Sequence, residues 1–426
     1  MSKGLRMARA AATRGRKAPR NRKDQPLEHR ILLTATLCLL AAGAVMVYSA
    51  SSAPAVLRGQ GDGTGYLLKY VLYGGLGLVV MNLVARRGLE WVRQITPVLL
   101  AVSFAGLVAV KVPHIGVTVN GARRWLGAGP LQFQPSELAK LALVLYAARL
   151  LADRPNRVKK VRSLVNPLLI VVGMACMLVA SQPDLGTTLV IAFSITALLV
   201  AAGIPMRYLA IGFGVCAGLV LIFALIEPYR RARLTAFANP WAHAQGTGFQ
   251  AVQAQIALGS GGLFGRGLGQ SVQKIFFLPE AHTDFILAVI GEELGVVGVS
   301  GLLFLYGLIG YGGLRAAKKA KGAYATLLAV GVTSLILSQA LLNVFAVLGL
   351  APLTGVPLPF ISSGSSSLLV VLASMGLLLN VASGGNVRLR AVPSGSGNGR
   401  STGGHRSRGN GGARRPGDSG RRRAAG

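Results

Sequence analysis

Acidic residues are scarce in this chain. It has 13 Asp and Glu against 45 Lys and Arg in 426 residues, and charged residues of both signs make up only 14%. A water-soluble globule carries about a quarter. The shortage excludes an ordinary soluble surface, and 52% hydrophobic residues with a mean hydropathy of +0.54 point to lipid as the solvent. Cysteine is nearly absent. Cys38, Cys176 and Cys216 each lie in an apolar run without ligand spacing, which excludes a disulfide scaffold and a zinc site. There is no Walker motif, so ATP-driven transport has no support. Gly265-Arg266-Gly267-Leu268-Gly269 follows no strand, which argues against a dinucleotide turn, although the glycines of 259–269 suit a backbone nest for a phosphate. His243 and His282 lack the partners of a metal site or triad, and no metal ligand set is assigned.

The net charge of +32 is large enough to suggest nucleic acid, but its distribution speaks against that partner. Residues 1–30 and 384–426 hold ten Lys and Arg each, and most of the rest fall in short loops. A spanning helix needs about 20 mostly apolar residues. Ten segments qualify: 31–51, 66–85, 94–112, 135–152, 163–181, 186–204, 207–226, 284–311, 322–348 and 366–383. The first is too long for a signal peptide and reads as an uncleaved start helix. With the N-terminus inside, 34 Lys and Arg face the cytoplasm and ten face the other side, Lys140 lying within a span. This is the positive-inside pattern. The expected architecture is an all-α polytopic membrane protein with about ten transmembrane helices and both termini cytoplasmic. Its parts are a basic tail (1–30), a transmembrane domain (31–383) and a disordered Gly/Ser/Arg tail (384–426). One long extracytoplasmic loop, 227–283, precedes the eighth helix. Its net positive charge, on the side where basic residues are disfavoured, calls for an anionic ligand.

Three polar clusters lie where polarity is costly. Gln134-Pro135-Ser136-Glu137-Leu138-Ala139-Lys140 opens the fourth span. Glu137 and Lys140 share a helix face at i, i+3, as a structural pair or as a polar wall of a cleft. Gln182-Pro183-Asp184-Leu185-Gly186-Thr187-Thr188 is a tight outer turn in which Asp184 suits a helix cap. Leu278-Pro279-Glu280-Ala281-His282-Thr283-Asp284-Phe285 returns the long loop to the membrane. Glu292 and Glu293 follow about 12 Å deeper on that helix. Three carboxylates on half a span are too costly for capping alone, so Asp284 is read as a catalytic or ligand group.

At these clusters the sequence resembles the SEDS family (shape, elongation, division and sporulation), the FtsW/RodA group of bacterial peptidoglycan polymerases. The resemblance covers about residues 31–383. It rests on Asn120-Gly121-Ala122-Arg123-Arg124-Trp125-Leu126, the three clusters above, Gly259–Gly269, Gly291-Glu292-Glu293-Leu294-Gly295 and Pro357-Leu358-Pro359-Phe360-Ile361-Ser362. The motif Pro279-Glu280-Ala281-His282-Thr283-Asp284 is nearer the division branch, FtsW. One departure is Ser362-Ser363-Gly364-Ser365-Ser366-Ser367, where the family usually reads Ser-Tyr-Gly-Gly-Ser-Ser.

The resemblance implies polymerisation of lipid II into glycan strands at the outer face of the cytoplasmic membrane, during septal wall synthesis in division. It implies a class B penicillin-binding protein transpeptidase and other division proteins as partners, with undecaprenyl pyrophosphate as leaving group. Asp284 is the matching catalytic base. Arg123, Glu137, Lys140, Asp184, Arg233, Gln250, Lys274, His282 and Ser362 are assigned to substrate binding. Of these, Arg233, Lys274 and Arg123 would offset pyrophosphate charge, with or without a divalent cation such as magnesium or manganese. No cofactor is established by the residues. Two readings compete: a lipid II flippase or other transporter, and a non-catalytic division scaffold. A transporter gathers polar groups at the midplane with inverted repeats, whereas here they gather at the outer face. A scaffold has no need of Asp284.

Overall fold

A computed structural model describes residues 25–384, except 58, 60–62, 120–121, 129–130, 154–160, 211, 213, 215–217, 219–227, 276–277 and 279–280. The basic tails assigned to 1–30 and 384–426 therefore fall almost wholly outside the described residues, as does most of the seventh expected span, 207–226. Every other expected span coincides with a helix. These are α1 (Leu27–Leu57), α2 (Thr64–Arg86), α3 (Leu89–Ala109), α4 (Pro135–Asp153), α5 (Val161–Ala180) and α6 (Leu185–Ala201). After α7 (Pro228–Ala238) and α8 (Phe249–Ser260) come α9 (Ile286–Lys319), α10 (Ala323–Val347) and α11 (Ser365–Ala382). The 227–283 loop thus carries helical structure of its own.

Among the described residues six helices are long and apolar enough to cross a membrane: α1, α2, α3, α9, α10 and α11. The apolar part of α5, Pro167–Ala180, and α6 are shorter. Helix α4 has the length but carries Glu137, Lys140, Arg149 and Asp153. Glu137 and Lys140 are buried among neighbours, whereas Arg149 and Asp153, toward its other end, are partly exposed. Both α10 and α11 are mostly covered by neighbours, α4 packs against α10, and α2 and α3 leave most of their surface outward. Helix α1 lies on α9, and α2 on α11. Glu137 and Lys140 face α10, where protein partners replace water.

The expectation of an all-α chain is corrected between α3 and α4. Residues Gly116–Val119 (β1), Ala122–Ala128 (β2) and Leu131–Phe133 (β3) form an antiparallel sheet in the order β1-β2-β3. Val119 pairs with Ala122, and Ala128 with Leu131. The signal was in the sequence: Asn-Gly between alternating residues is a strong hairpin mark, and Asn120-Gly121 joins β1 to β2.

Candidate active site

Helix α9 begins at the phenylalanine after Asp284. The Phe285 carbonyl accepts the first helical bonds, from the Ala288 and Val289 amides at 2.9 and 3.3 Å, and Phe285 caps the helix without a side-chain bond. Asp284 stands one residue outside the cap and is half-buried. Its backbone is held from two sides. Asn343 of α10 donates from Nδ2 to the Asp284 carbonyl and to the Val356 carbonyl, both at 2.8 Å. Ser362 donates to the Thr283 carbonyl at 2.6 Å, and the Ser363 amide and hydroxyl reach the His282 carbonyl at 3.1 and 3.0 Å.

The partner in these contacts is the extended strap 351–364 between α10 and α11. Its far end is pinned by two tyrosines. Tyr306 donates to the Pro359 carbonyl and Tyr70 to the Phe360 carbonyl, each at 2.5 Å. Gly355 sits at φ +68°, and a Cβ added there would stand 3.3 Å from Asp284 Oδ2. One residue to each side, Thr354 and Val356 press on Gly186, at the start of α6. The strap therefore lies between the Asp284 segment and the Asp184 turn, which are about a hundred residues apart in sequence. A pocket of about 300 Å³ opens against the same stretch, lined by Gln250, Gln255, Ala346, Gly349, Ala351 and Leu353 among others.

The other expected site residues fall at several places around this segment. Asp184 is buried and caps α6: it accepts from the Thr187 amide at 3.0 Å, the Thr187 hydroxyl at 2.9 Å and Gln134 Nε2 at 3.2 Å. Lys140 bonds Glu137 at 2.9 Å and Gln339 of α10 at 3.0 Å, all three buried. Glu137 Oε2 has no hydrogen-bond partner among the described residues. Lys274 has three donors, and all are used: Glu293 Oε1 at 2.8 Å, the Gly269 carbonyl at 2.9 Å and Ser49 at 3.1 Å. Ser362 both donates to Thr283 and accepts from the Leu358 amide at 2.8 Å. These two side chains build the site and have no hydrogen left to offer a substrate. His282 lies against Tyr66, ring centroids 4.5 Å apart. Gln250 lines the pocket. Arg123 is exposed on β2, while its neighbour Arg124 clamps the carbonyls of Gln182 and Pro183. The Arg233 side chain lies outside the described residues.

In the glycine-rich stretch the amides of Gly265, Arg266 and Gly267 have protein partners. Helix α9 breaks at Gly295, with φ 66° and ψ −162°. Such a break strips partners from the carbonyls before it and the amides after it. The loop supplies them: Arg266 and Gly267 amides donate to the Glu292 and Glu293 carbonyls, each at 3.0 Å. Gly262 and Leu263 carbonyls accept from the Val296 and Val297 amides at 3.0 and 3.1 Å. The carboxylates pair as well. Glu292 accepts from Ser271 at 2.5 Å and the Val272 amide at 3.0 Å. Glu293 accepts from Ser49 at 2.7 Å and Lys274. Glu292 and Glu293 thus have structural partners.

Sequence reasoning missed Gln339 and Asn343. Their signal was present, since they are the two side-chain amides of a mostly apolar span and lie one helical turn apart.

The whole arrangement matches a known group. Residues 30–386 match the cell cycle protein family of FtsW, RodA and SpoVE. The chain belongs to this family. Among FtsW/RodA/SpoVE relatives it is similar to stage V sporulation protein E of Bacillus subtilis, 38% identical over 352 residues, 82% of this chain and 96% of that one. It is similar to a probable peptidoglycan glycosyltransferase FtsW of Geobacter sulfurreducens, 39% identical over 365 residues, 85% and 96% of the two chains. Among solved structures it resembles a chain of a peptidoglycan synthase complex that coordinates polymerization and crosslinking, with TM-score 0.67 and 32% identity over 82% and 96% of the chains. It also resembles RodA of Thermus thermophilus, with TM-score 0.60 and 32% identity over 82% and 95%.

Proposed function

We propose that this chain is a peptidoglycan glycosyltransferase that polymerises lipid II at the outer face of the cytoplasmic membrane, at the division septum. A topology of ten spans with both termini cytoplasmic, which the 34-to-10 bias of basic charge supports, has Asp284 on the outer side of the membrane. The FtsW relatives carry the same activity in their names.

The observation that carries the mechanism is the seat of Asp284: half-buried, outside the helix cap, its carboxylate against the strap glycine Gly355. In the reaction an acceptor-sugar hydroxyl attacks the donor's anomeric carbon. The new C–O bond forms as the C–O bond to pyrophosphate breaks, and the hydroxyl proton passes to Asp284. Undecaprenyl pyrophosphate leaves as a weak base, needing charge stabilisation rather than a proton, so one carboxylate suffices where glycosidases use two. Direct displacement inverts the anomeric centre. With Lys274 held by Glu293, charge stabilisation falls to Arg123 and Arg233. Among the described residues no three His, Cys, Asp or Glu side chains converge as a metal site, and no step here is routed through a divalent cation.

The synthase complex to which the chain is similar couples polymerization to crosslinking, which supports a crosslinking partner; we take it to be a class B penicillin-binding protein transpeptidase. The test is lipid II polymerisation by purified protein with Asp284→Asn. A general base predicts a loss of about a hundredfold or more with lipid II binding retained. Asn also caps helices well, so near-normal polymer yield would return Asp284 to a structural role.

A further inference from the structure

The loop that patches the break in α9 has an outer side as well as an inner one. Leu263 and Phe264, at its tip, are 66% and 82% exposed. Their depth is set by the bond from the Val297 amide to the Leu263 carbonyl, which holds the tip level with Val296 and Val297. Those two valines are themselves 54% and 57% exposed. They open the outward-facing part of α9: residues Ile286 to Glu293 are buried without exception, whereas Leu303, Phe304, Tyr311 and Leu314 are exposed beyond the break.

Basic residues end this helix at Arg315, Lys318 and Lys319. From Arg315 back to Val296 is about 20 residues, or ~30 Å of helix, the thickness of a bilayer's hydrocarbon core. Val296 therefore marks the outer edge of that core, and the tip lies beside it. An aromatic and an aliphatic side chain at this level suit the interface between acyl chains and headgroups. Arg266 follows two residues later, half-exposed, donating from Nε to the Ser260 carbonyl at 3.3 Å and lying 3.6 Å from Glu292.

We propose that Leu263 and Phe264 insert into the outer leaflet at the boundary of acyl chains and headgroups, with Arg266 turned to the phosphates, so that this loop is an interfacial anchor beside the active-site helix. The occupant is bilayer phospholipid, because the exposed tip is continuous with the lipid-facing surface of α9 and is edged by a cation. The inference rests on the sidedness proposed above.

The test is spin-label accessibility in vesicles of phosphatidylethanolamine and phosphatidylglycerol. Nitroxides are placed through Phe264→Cys, Leu263→Cys, Val297→Cys and Gln245→Cys in full-length protein lacking its own cysteines. Position 263 covers the case in which the 264 variant fails to fold. Labels at 263 and 264 should collide with oxygen more than with a water-soluble nickel chelate, as at 297, while 245 shows the reverse. If 297 is lipid-like but 263 and 264 match 245, the tip is in water and the anchor is wrong. If 297 also matches 245, the bilayer placement itself fails. Shielding of 264 that arises only after adding the transpeptidase would make this face a protein contact and overturn the proposal.

Discussion

Lys274 Nζ lies 2.8 Å from Glu293 Oε1, with both side chains buried. The pair ties the last turn of the long loop to the first half of α9, and Ser49 of α1 joins it by donating to the carboxylate. Removing one partner of a buried pair leaves an uncompensated charge at a cost of about 3–5 kcal/mol. Lys274→Met should therefore lower the unfolding temperature sharply, and Lys274→Met combined with Glu293→Gln should recover much of the loss. Thermal unfolding of the single and double variants in micelles checks this. An unchanged unfolding temperature with a raised KM for lipid II would mark Lys274 as a substrate ligand instead.

Asn343 acts on Asp284 through the backbone. Asn343→Leu keeps the number and branching of side-chain heavy atoms and deletes both bonds, leaving the Asp284 and Val356 carbonyls without that donor. Each lost bond to a buried carbonyl is worth about 1–3 kcal/mol. Polymerisation should fall at least about tenfold in kcat, with KM for lipid II little changed, because the base is displaced while the binding surface stays. A proportional loss of folded protein and activity at constant kcat per folded molecule would reduce Asn343 to a packing residue.

Gly355→Ala tests the strap. The position has φ +68°, which costs a side-chain-bearing residue about 1–2 kcal/mol, and the new methyl would meet Asp284 Oδ2 at 3.3 Å. Activity should drop by more than stability does. Gly65→Ala, where an added Cβ meets nothing within 4 Å, serves as the control. Equal behaviour of the two variants would show that the strap does not constrain the carboxylate.

Sidedness has its own check. Gln245 is exposed between α7 and α8. In a background without native cysteines, Gln245→Cys should react with a membrane-impermeant maleimide on intact cells. Labelling only after lysis would invert the topology and move Asp284 to the wrong face for an outer-leaflet substrate.

How much of this was legible depends on the range of the interaction. Span positions were readable because hydrophobic runs and basic loops are local properties of the chain, and each described span formed a helix close to its expected bounds. The Glu137–Lys140 pair and the Asp184 cap were readable because their partners sit three residues apart on one helix or turn. The hairpin at 116–126 had its Asn-Gly mark but was passed over amid apolar spans. Glu292 and Glu293 were read as surplus charge because Ser49, 244 residues from Glu293 in sequence, gives no local sign of becoming a partner.

The sequence by itself determined that this chain lives in a bilayer, which residues are too polar to be there without a reason, and, through its motifs, the family to which it belongs. These follow from solvent preference and short spacing, which need no knowledge of the fold. Only the tertiary structure decided how those polar residues are divided. It committed Lys274 and Ser362 to Glu293 and Thr283, turned the glycine loop into the patch on a broken helix, and set Asp284 against Gly355 under the clamp of Asn343. The reason is that a buried donor or acceptor takes whichever partner lies within about 3 Å, and chain order does not encode that proximity.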